Sequence, residues 1–358
     1  MEKVGFIIGS GYLLLSELDL ALSKHIDDFK VAYILNHFID SDKIYVNLKE
    51  TGIFNKIFYL PVREYVTGNK YRAKQLFNAR KWLKEHIPDY DYNSCFDKLY
   101  GGSQTELIYP LYQLAKKKNP KCEFYDVDDG CGIFCDYMDH YTFRSRLFCR
   151  LLRKHWVSKE LAGVYMFWKD KYSGQSLYPI LQLPDPIENS ELFPCMNRIY
   201  EINKEKLAPF EQNRFFFLQT KGGYSKEDEC CDIAREILGE NLLVKPHPVT
   251  ATGTEPVDAK LSMEVISLNC RLEEKVLIGV FSTGFFSCNM LFGKLPTIIL
   301  LYKLTAKERN PKVKKWFDDS VKSYIDTFHC EDRVFVPETM EEYKKILHNC
   351  QEELRYEG

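Results

Sequence analysis

The chain has 358 residues, long enough for two α/β domains that each bury a core of their own. Its 49 Lys and Arg against 51 Asp and Glu leave a net charge of −2, which excludes a global electrostatic case for nucleic acid or another polyanion. Twelve cysteines scattered through a chain of this size, with no secretory leader, read as reduced thiols of a cytoplasmic protein. Cys131 and Cys135, taken with Cys149 or with Cys230 and Cys231, lack the two-pair spacing of a zinc site, so no metal is expected.

Apolar runs alternate with stretches of helical spacing, the pattern of a parallel α/β sheet. Residues 4–8 read as a first strand and 13–23 as a helix; 31–35, 43–46 and 57–60 read as further strands. Helical spacing over 72–85, a strand over 92–99, a helix over 105–118 and a strand over 122–127 complete the first half. Pro184, Pro186 and Pro194 mark a linker or a domain edge, and the chain is expected to divide into domains 1–195 and 196–358. The plan then restarts. Residues 214–218 form a strand, Lys221-Gly222-Gly223 a glycine turn, and a helix opens at Ser225; strands follow at 242–245, 276–281 and 297–301, and a closing helix at 340–354. The uncharged run 276–293 is broken by Ser282, Thr283, Ser287, Asn289 and three glycines, so a strand, a turn and a buried helix explain it better than a membrane span.

Three short signals sit at strand ends, where ligands gather in such sheets. Asp128-Asp129-Gly130 follows one strand and offers a general base, Asp128 first and Asp129 in reserve, with Asp126 able to raise its pKa through like charge. Lys245-Pro246-His247-Pro248 follows another and offers a phosphate partner in His247, with Lys245 as a second positive group. Ser282-Thr283-Gly284 opens a helix and offers hydroxyls and N–H groups to an anion. Each has a plainer reading: an Asp-Gly turn, a proline-stiffened loop and a helix cap. Their coincidence in order and at strand ends favours a site. Gly9-Ser10-Gly11 lacks the third glycine of a dinucleotide fingerprint and is expected to line the acceptor side, as are Ser103 and Gln104.

These signals resemble the marks of bacterial sialyltransferases of the GT-B type: an acidic pair with glycine, then His-Pro, then Ser-Ser or Ser-Thr, here Asp128-Asp129-Gly130, His247-Pro248 and Ser282-Thr283. The lipooligosaccharide sialyltransferases of glycosyltransferase family 52 are the most similar group by length and spacing, with the polysialyltransferases as cousins. The resemblance implies two Rossmann-like domains facing across a cleft, CMP-sialic acid as donor, a glycan hydroxyl, often of galactose, as acceptor, inversion at the anomeric carbon, and no metal or other cofactor. It also implies a ribose-holding glutamate between the last two motifs. Glu264 fits, with Glu273 and Glu274 as rivals. Retaining the fold with another donor, CMP-Kdo or a UDP-sugar, is one alternative; a non-catalytic glycan-binding or assembly protein is another.

The stretch 143–156 sets Phe143, Leu147, Phe148, Leu151 and Leu152 on one stripe and Arg144, Arg146, Arg150, Arg153 and Lys154 on a basic face. It reads first as an ordinary surface helix and second as a contact for anionic lipid at the inner face of the plasma membrane, assisted by Lys312, Lys314, Lys315 and Trp316.

Overall fold

The computed structural model describes residues 1–36, 40–60, 79–87, 95–102, 108–128, 130, 137, 155, 160–220, 224, 226–247, 261–305 and 311–357. These fall into two compact units, Met1–Tyr200 and Glu201–Gly358.

The first unit is built on seven parallel strands, β1 (Lys3–Ile8), β2 (Phe29–Leu35), β3 (Lys56–Leu60), β4 (Lys98–Gly101), β5 (Glu123–Val127), β6 (Leu161–Met166) and β7 (Ile180–Gln182). Their order is β3-β2-β1-β4-β5-β6-β7, so the winding reverses between β1 and β4. Central strands are buried almost without a break, as a parallel sheet covered on both faces requires. One face sets Ile7, Val31, Tyr33, Leu99 and Phe124 against Trp82 and Leu83 of the helix Ala79–His86 and Leu111, Tyr112 and Ala115 of the helix Ile108–Lys118. A row of rings crosses the strands alongside: Phe6 and Tyr100 stack with centroids 5.3 Å apart, Tyr100 and Tyr125 at 5.3 Å, and Tyr125 meets Tyr165 at 5.5 Å. His25 is tied into this row by Tyr100 at 2.9 Å and by Asp28 at 2.9 Å.

The second unit carries β8 (Phe215–Leu218), β9 (Leu242–Lys245), β10 (Val276–Gly279), β11 (Thr297–Leu300) and β12 (Val334–Phe335), parallel and in the order β12-β11-β10-β8-β9. Here the winding reverses between β8 and β10. Phe215, Phe217, Val276, Ile278 and Ile299 pack against Cys230, Cys231 and Ala234 of the helix Glu227–Leu238 and Tyr343 and Leu347 of the helix Met340–Glu357. The nine described cysteines are all free thiols.

Several expectations are corrected. Residues 43–46 are not a strand but part of the helix Ser41–Thr51, because Ile44 and Leu48, four apart, are its buried side chains. Pro194 lies within the helix Leu192–Ile199, whose Leu192, Met196 and Ile199 are buried, and the edge between the two units falls just beyond it, after Tyr200. The first unit therefore runs five residues past 195. Strands β6, β7 and β12 and the helices Lys204–Gln212, Met263–Asn269 and Pro311–Phe328 were not foreseen. The stretch 143–156 lies outside the described residues except for His155. Among the described residues no helix is long and apolar enough to cross a membrane.

Candidate functional site

The register of the second sheet sets Leu300, Gly279, Leu218 and Lys245 in one row at its carboxyl edge. Two residues beyond that row stand Phe281, Thr220 and His247, and one further is Ser282. Lys245 and Gly279, where β9 and β10 end, thus lie on the same edge, on strands separated by β8 and so about 10 Å apart at the backbone; His247 follows the first and Ser282 the second. This is the reversal point of the sheet, the usual place for a ligand in such folds. The edge is closely packed: a Cβ on Gly279 would lie 2.5 Å from the Leu218 carbonyl oxygen.

Two of the helices that begin at this edge, those after β8 and β10, differ in their first turns. The helix Glu227–Leu238 opens with Glu227, Asp228 and Glu229. The buried Glu227 carboxylate already accepts the Thr220 N–H and hydroxyl, both at 2.6 Å. A phosphate is disfavoured there by like charge. The helix Gly284–Phe292 has no acid in its first turn. Ser282 and Thr283, both partly exposed, precede it. The Ser282 hydroxyl accepts the Gly284 N–H at 3.3 Å, and the N–H groups of Phe285, Phe286 and Ser287 close onto the carbonyls of Ser282 and Thr283. The second helix start, with its positive dipole end and two hydroxyls, is the one an anion would choose.

Glu264 lies in the first turn of the helix Met263–Asn269 and is buried. Burial pushes its carboxyl up, offset in part by its own backbone, Ser262, Lys245 and Ser287. Lys245 is itself only 3% exposed, so its charge acts within the fold. Helix meets helix closely at this point, because a Cβ on Gly284 would stand 2.8 Å from Met263 Cγ. The rivals Glu273 and Glu274 precede β10 and line, with Arg214, Asp332 and Arg333, a cavity of about 460 Å³ at the opposite, amino edge of the sheet.

In the first sheet, Ile7, Gly101 and Asp126 share a row, and Asp126 is buried. Asp128 stands two residues further, with Gly9 in the equivalent place beyond β1. Asp128 N–H donates to the Tyr165 carbonyl at 2.9 Å, which extends the ladder by one residue, and Asp128 Oδ1 accepts the Gly130 N–H at 2.9 Å. Gly130 takes φ 112°, a conformation suited to glycine. Asp128 is 3% exposed, and the Gly130 bond fixes which way its carboxylate turns. Ser10 caps the helix Gly11–Ser23, its hydroxyl accepting the Leu13 N–H at 3.1 Å. Asp129, Ser103, Gln104 and Pro248 lie outside the described residues.

Glu2, His25 and Asp28 bring ligand atoms within 4.8 Å of one another. Both ring nitrogens of His25 are engaged and Lys98 neutralises Glu2 at 2.6 Å, so the group is a satisfied hydrogen-bond network. No sequence signal pointed to Glu227. An acid seven residues after a threonine becomes meaningful only when the loop between them folds back.

No protein-family model matches the chain. One curated relative, bromodomain adjacent to zinc finger domain protein 2B of Mus musculus, is 23% identical over 214 residues, 54% of this chain. The chain spans 10% of that protein's length, and at this identity the match shows no shared family. Among solved structures, Arabidopsis thaliana UGT89C1 complexed with UDP has a TM-score of 0.57 at 11% identity, covering 98% of this chain and 90% of that one. The same protein complexed with UDP-L-rhamnose has a TM-score of 0.54 at 11% identity and the same coverage. LpCGTa in complex with UDP reaches 0.50 at 9% identity, again over 98% and 90%. With the two doubly wound sheets, these likenesses define the class: the chain has the GT-B fold, an α/β architecture of two Rossmann-like units.

Proposed function

We propose that the chain is an inverting glycosyltransferase that moves a sugar from a nucleotide donor, CMP-sialic acid first, to a hydroxyl of a bacterial surface glycan. The observation that carries this reading is the carboxyl edge of the second sheet, where His247 follows β9 and the Ser282-Thr283 turn follows β10, beside the reversal between β8 and β10 and at a helix start without acids. The fold supports a nucleotide-sugar donor, since neighbours of this fold are described with UDP and UDP-L-rhamnose. Those complexes also favour a second reading, a UDP-sugar as donor.

In the transfer, the acceptor oxygen attacks the anomeric carbon while the bond from that carbon to the phosphate oxygen breaks, and its electron pair leaves on the cytidylate. Asp128 takes the acceptor proton, with Asp129 in reserve. His247 donates to the departing phosphate, and the Ser282 and Thr283 hydroxyls and the Gly284 helix start offset its charge. Glu264 holds the ribose, and Lys245, buried near it, offsets part of the burial that pushes its carboxyl up. Gly9, Ser10, Gly11, Ser103 and Gln104 belong to the acceptor side, and Pro248 belongs with His247 to the donor side. Without a divalent cation, these groups must carry the whole charge of the leaving phosphate. A cytoplasmic location, with residues 143–156 touching anionic lipid, belongs to the same proposal.

The test is nucleotide release in the presence of a galactoside acceptor, measured with CMP-sialic acid and UDP-glucose in parallel. CMP release supports the first reading, and UDP release alone supports the second. Turnover of neither, with tight glycan binding, returns the chain to the non-catalytic alternative.

A further inference from the structure

Phe281 lies two residues past the end of β10 and immediately precedes the Ser282-Thr283 turn. It is the centre of a cluster of rings drawn from three segments of the second unit. Phe317 stacks on it at 4.3 Å and 25°, Trp316 meets it at 5.4 Å and 57°, and Tyr302, just past β11, lies 6.3 Å away. Phe317 also meets Tyr302 at 5.4 Å, and the Tyr302 hydroxyl donates to Asp318 at 2.7 Å, so the helix Pro311–Phe328 is pinned to the sheet edge by both apolar and polar contacts.

Burial within the cluster is uneven. Tyr302 and Phe317 are 2% and 5% exposed and serve as its base. Trp316 is 37% exposed, and it is the one aromatic residue among the exposed large hydrophobic side chains of the described residues. Its neighbours Tyr302 and Phe317 are covered, and the indole is the exposed member of the cluster. Here it is held rigidly, by rings behind it, next to the turn that suits an anion. Lys315 beside it pairs with Asp319 at 2.6 Å, so the indole and the exposed Lys314 are what this turn of the helix offers.

We propose that Trp316, backed by Phe281 and Phe317, is a ring-stacking subsite for the donor whose phosphate sits at the Ser282-Thr283 turn. The inference deepens the proposed function and rests on it. A nucleotide sugar carries a ring on either side of its phosphate, the planar base and the pyranose with its C–H face, and either matches an indole surface.

The experiment titrates the full chain, as wild type, Trp316→Ala and Trp316→Phe, with CMP, UMP, ribose 5-phosphate, CMP-sialic acid and UDP-glucose by calorimetry, with circular dichroism and thermal melting to confirm the fold. Trp316→Ala is expected to weaken binding about ten- to hundred-fold while ribose 5-phosphate is unaffected, and Trp316→Phe to restore most of the loss. A loss already present with CMP or UMP assigns the base to the indole; a loss confined to the nucleotide sugars assigns the pyranose. Unchanged affinity for every probe overturns the subsite and leaves the proposed function standing. An equal loss for ribose 5-phosphate overturns it too, by showing that the phosphate turn was disturbed. Failure of the wild type to bind any nucleotide removes the proposed function, and this inference with it.

Discussion

Glu17 is fully buried in the helix Gly11–Ser23, and burial pushes its carboxyl well above the usual carboxylate range, with the Ile7 backbone offsetting only part of the effect. Its folded pKa exceeds its unfolded one, so the folded state holds the proton more tightly. Stability from this group is complete below about pH 4.3 and is lost as pH rises from there through the folded value, with a slope approaching about 1.4 kcal/mol per pH unit. Glu17→Gln should remove that slope, so the difference in urea midpoint between variant and wild type should grow in the variant's favour from pH 5 to pH 8. A constant difference would show that Glu17 is ionised in the fold. Asp128 is a different kind of buried acid, held by the Gly130 N–H at the end of its strand. Asp128→Asn keeps the size and loses the basicity, so turnover should fall about 10²- to 10⁴-fold with donor affinity retained. Equal loss of both would assign Asp128 to the loop rather than to proton transfer.

At the level of elements, two substitutions separate structure from recognition. Ser10 was expected on the acceptor side, and its hydroxyl caps a helix. Ser10→Ala should cost about 1 kcal/mol of stability, read from the urea midpoint, and Ser10→Gly a few tenths. An increase in acceptor KM common to both variants, which both lack the hydroxyl, would reveal an added contact. Gly279 has no such ambiguity: its missing Cβ is where the Leu218 carbonyl oxygen passes. Gly279→Ala should destabilise by about 1–3 kcal/mol, since the carbonyl belongs to a paired strand and cannot move aside freely. A neutral result in thermal unfolding would mean that β8 and β10 can separate at this end.

At the scale of the whole molecule, the proposed chemistry uses no divalent cation, so EDTA should leave nucleotide release unchanged. Loss of activity on chelation, restored by Mg²⁺ or Mn²⁺, would overturn the assignment of the leaving phosphate to protein groups. The alternation of apolar runs and helical stretches already announced two parallel sheets, because such strands are buried on both faces and must read as continuous hydrophobic segments. The strand ends bearing Asp128, His247 and Ser282 were legible for the same reason. The strand at 43–46 was misread because Ile44, Tyr45 and Val46 are individually strand formers, whereas burial of Ile44 and Leu48 obeys the helical period. Short elements such as β12, two residues long, carry too little pattern to be seen.

The chain's own order of residues therefore settled its class, the rhythm of its elements and the chemical types at three strand ends, since periodicity and turn chemistry are local properties. Tertiary structure alone decided which strands are neighbours and which residues share a row. It decided that Glu227 fills one helix start while the start at Gly284 carries no acid, that Lys245 is enclosed near Glu264, and that Trp316 meets Phe281. Those relations join residues separated by 7 to 35 positions in the chain and depend on loop closure and strand order, which no local pattern encodes.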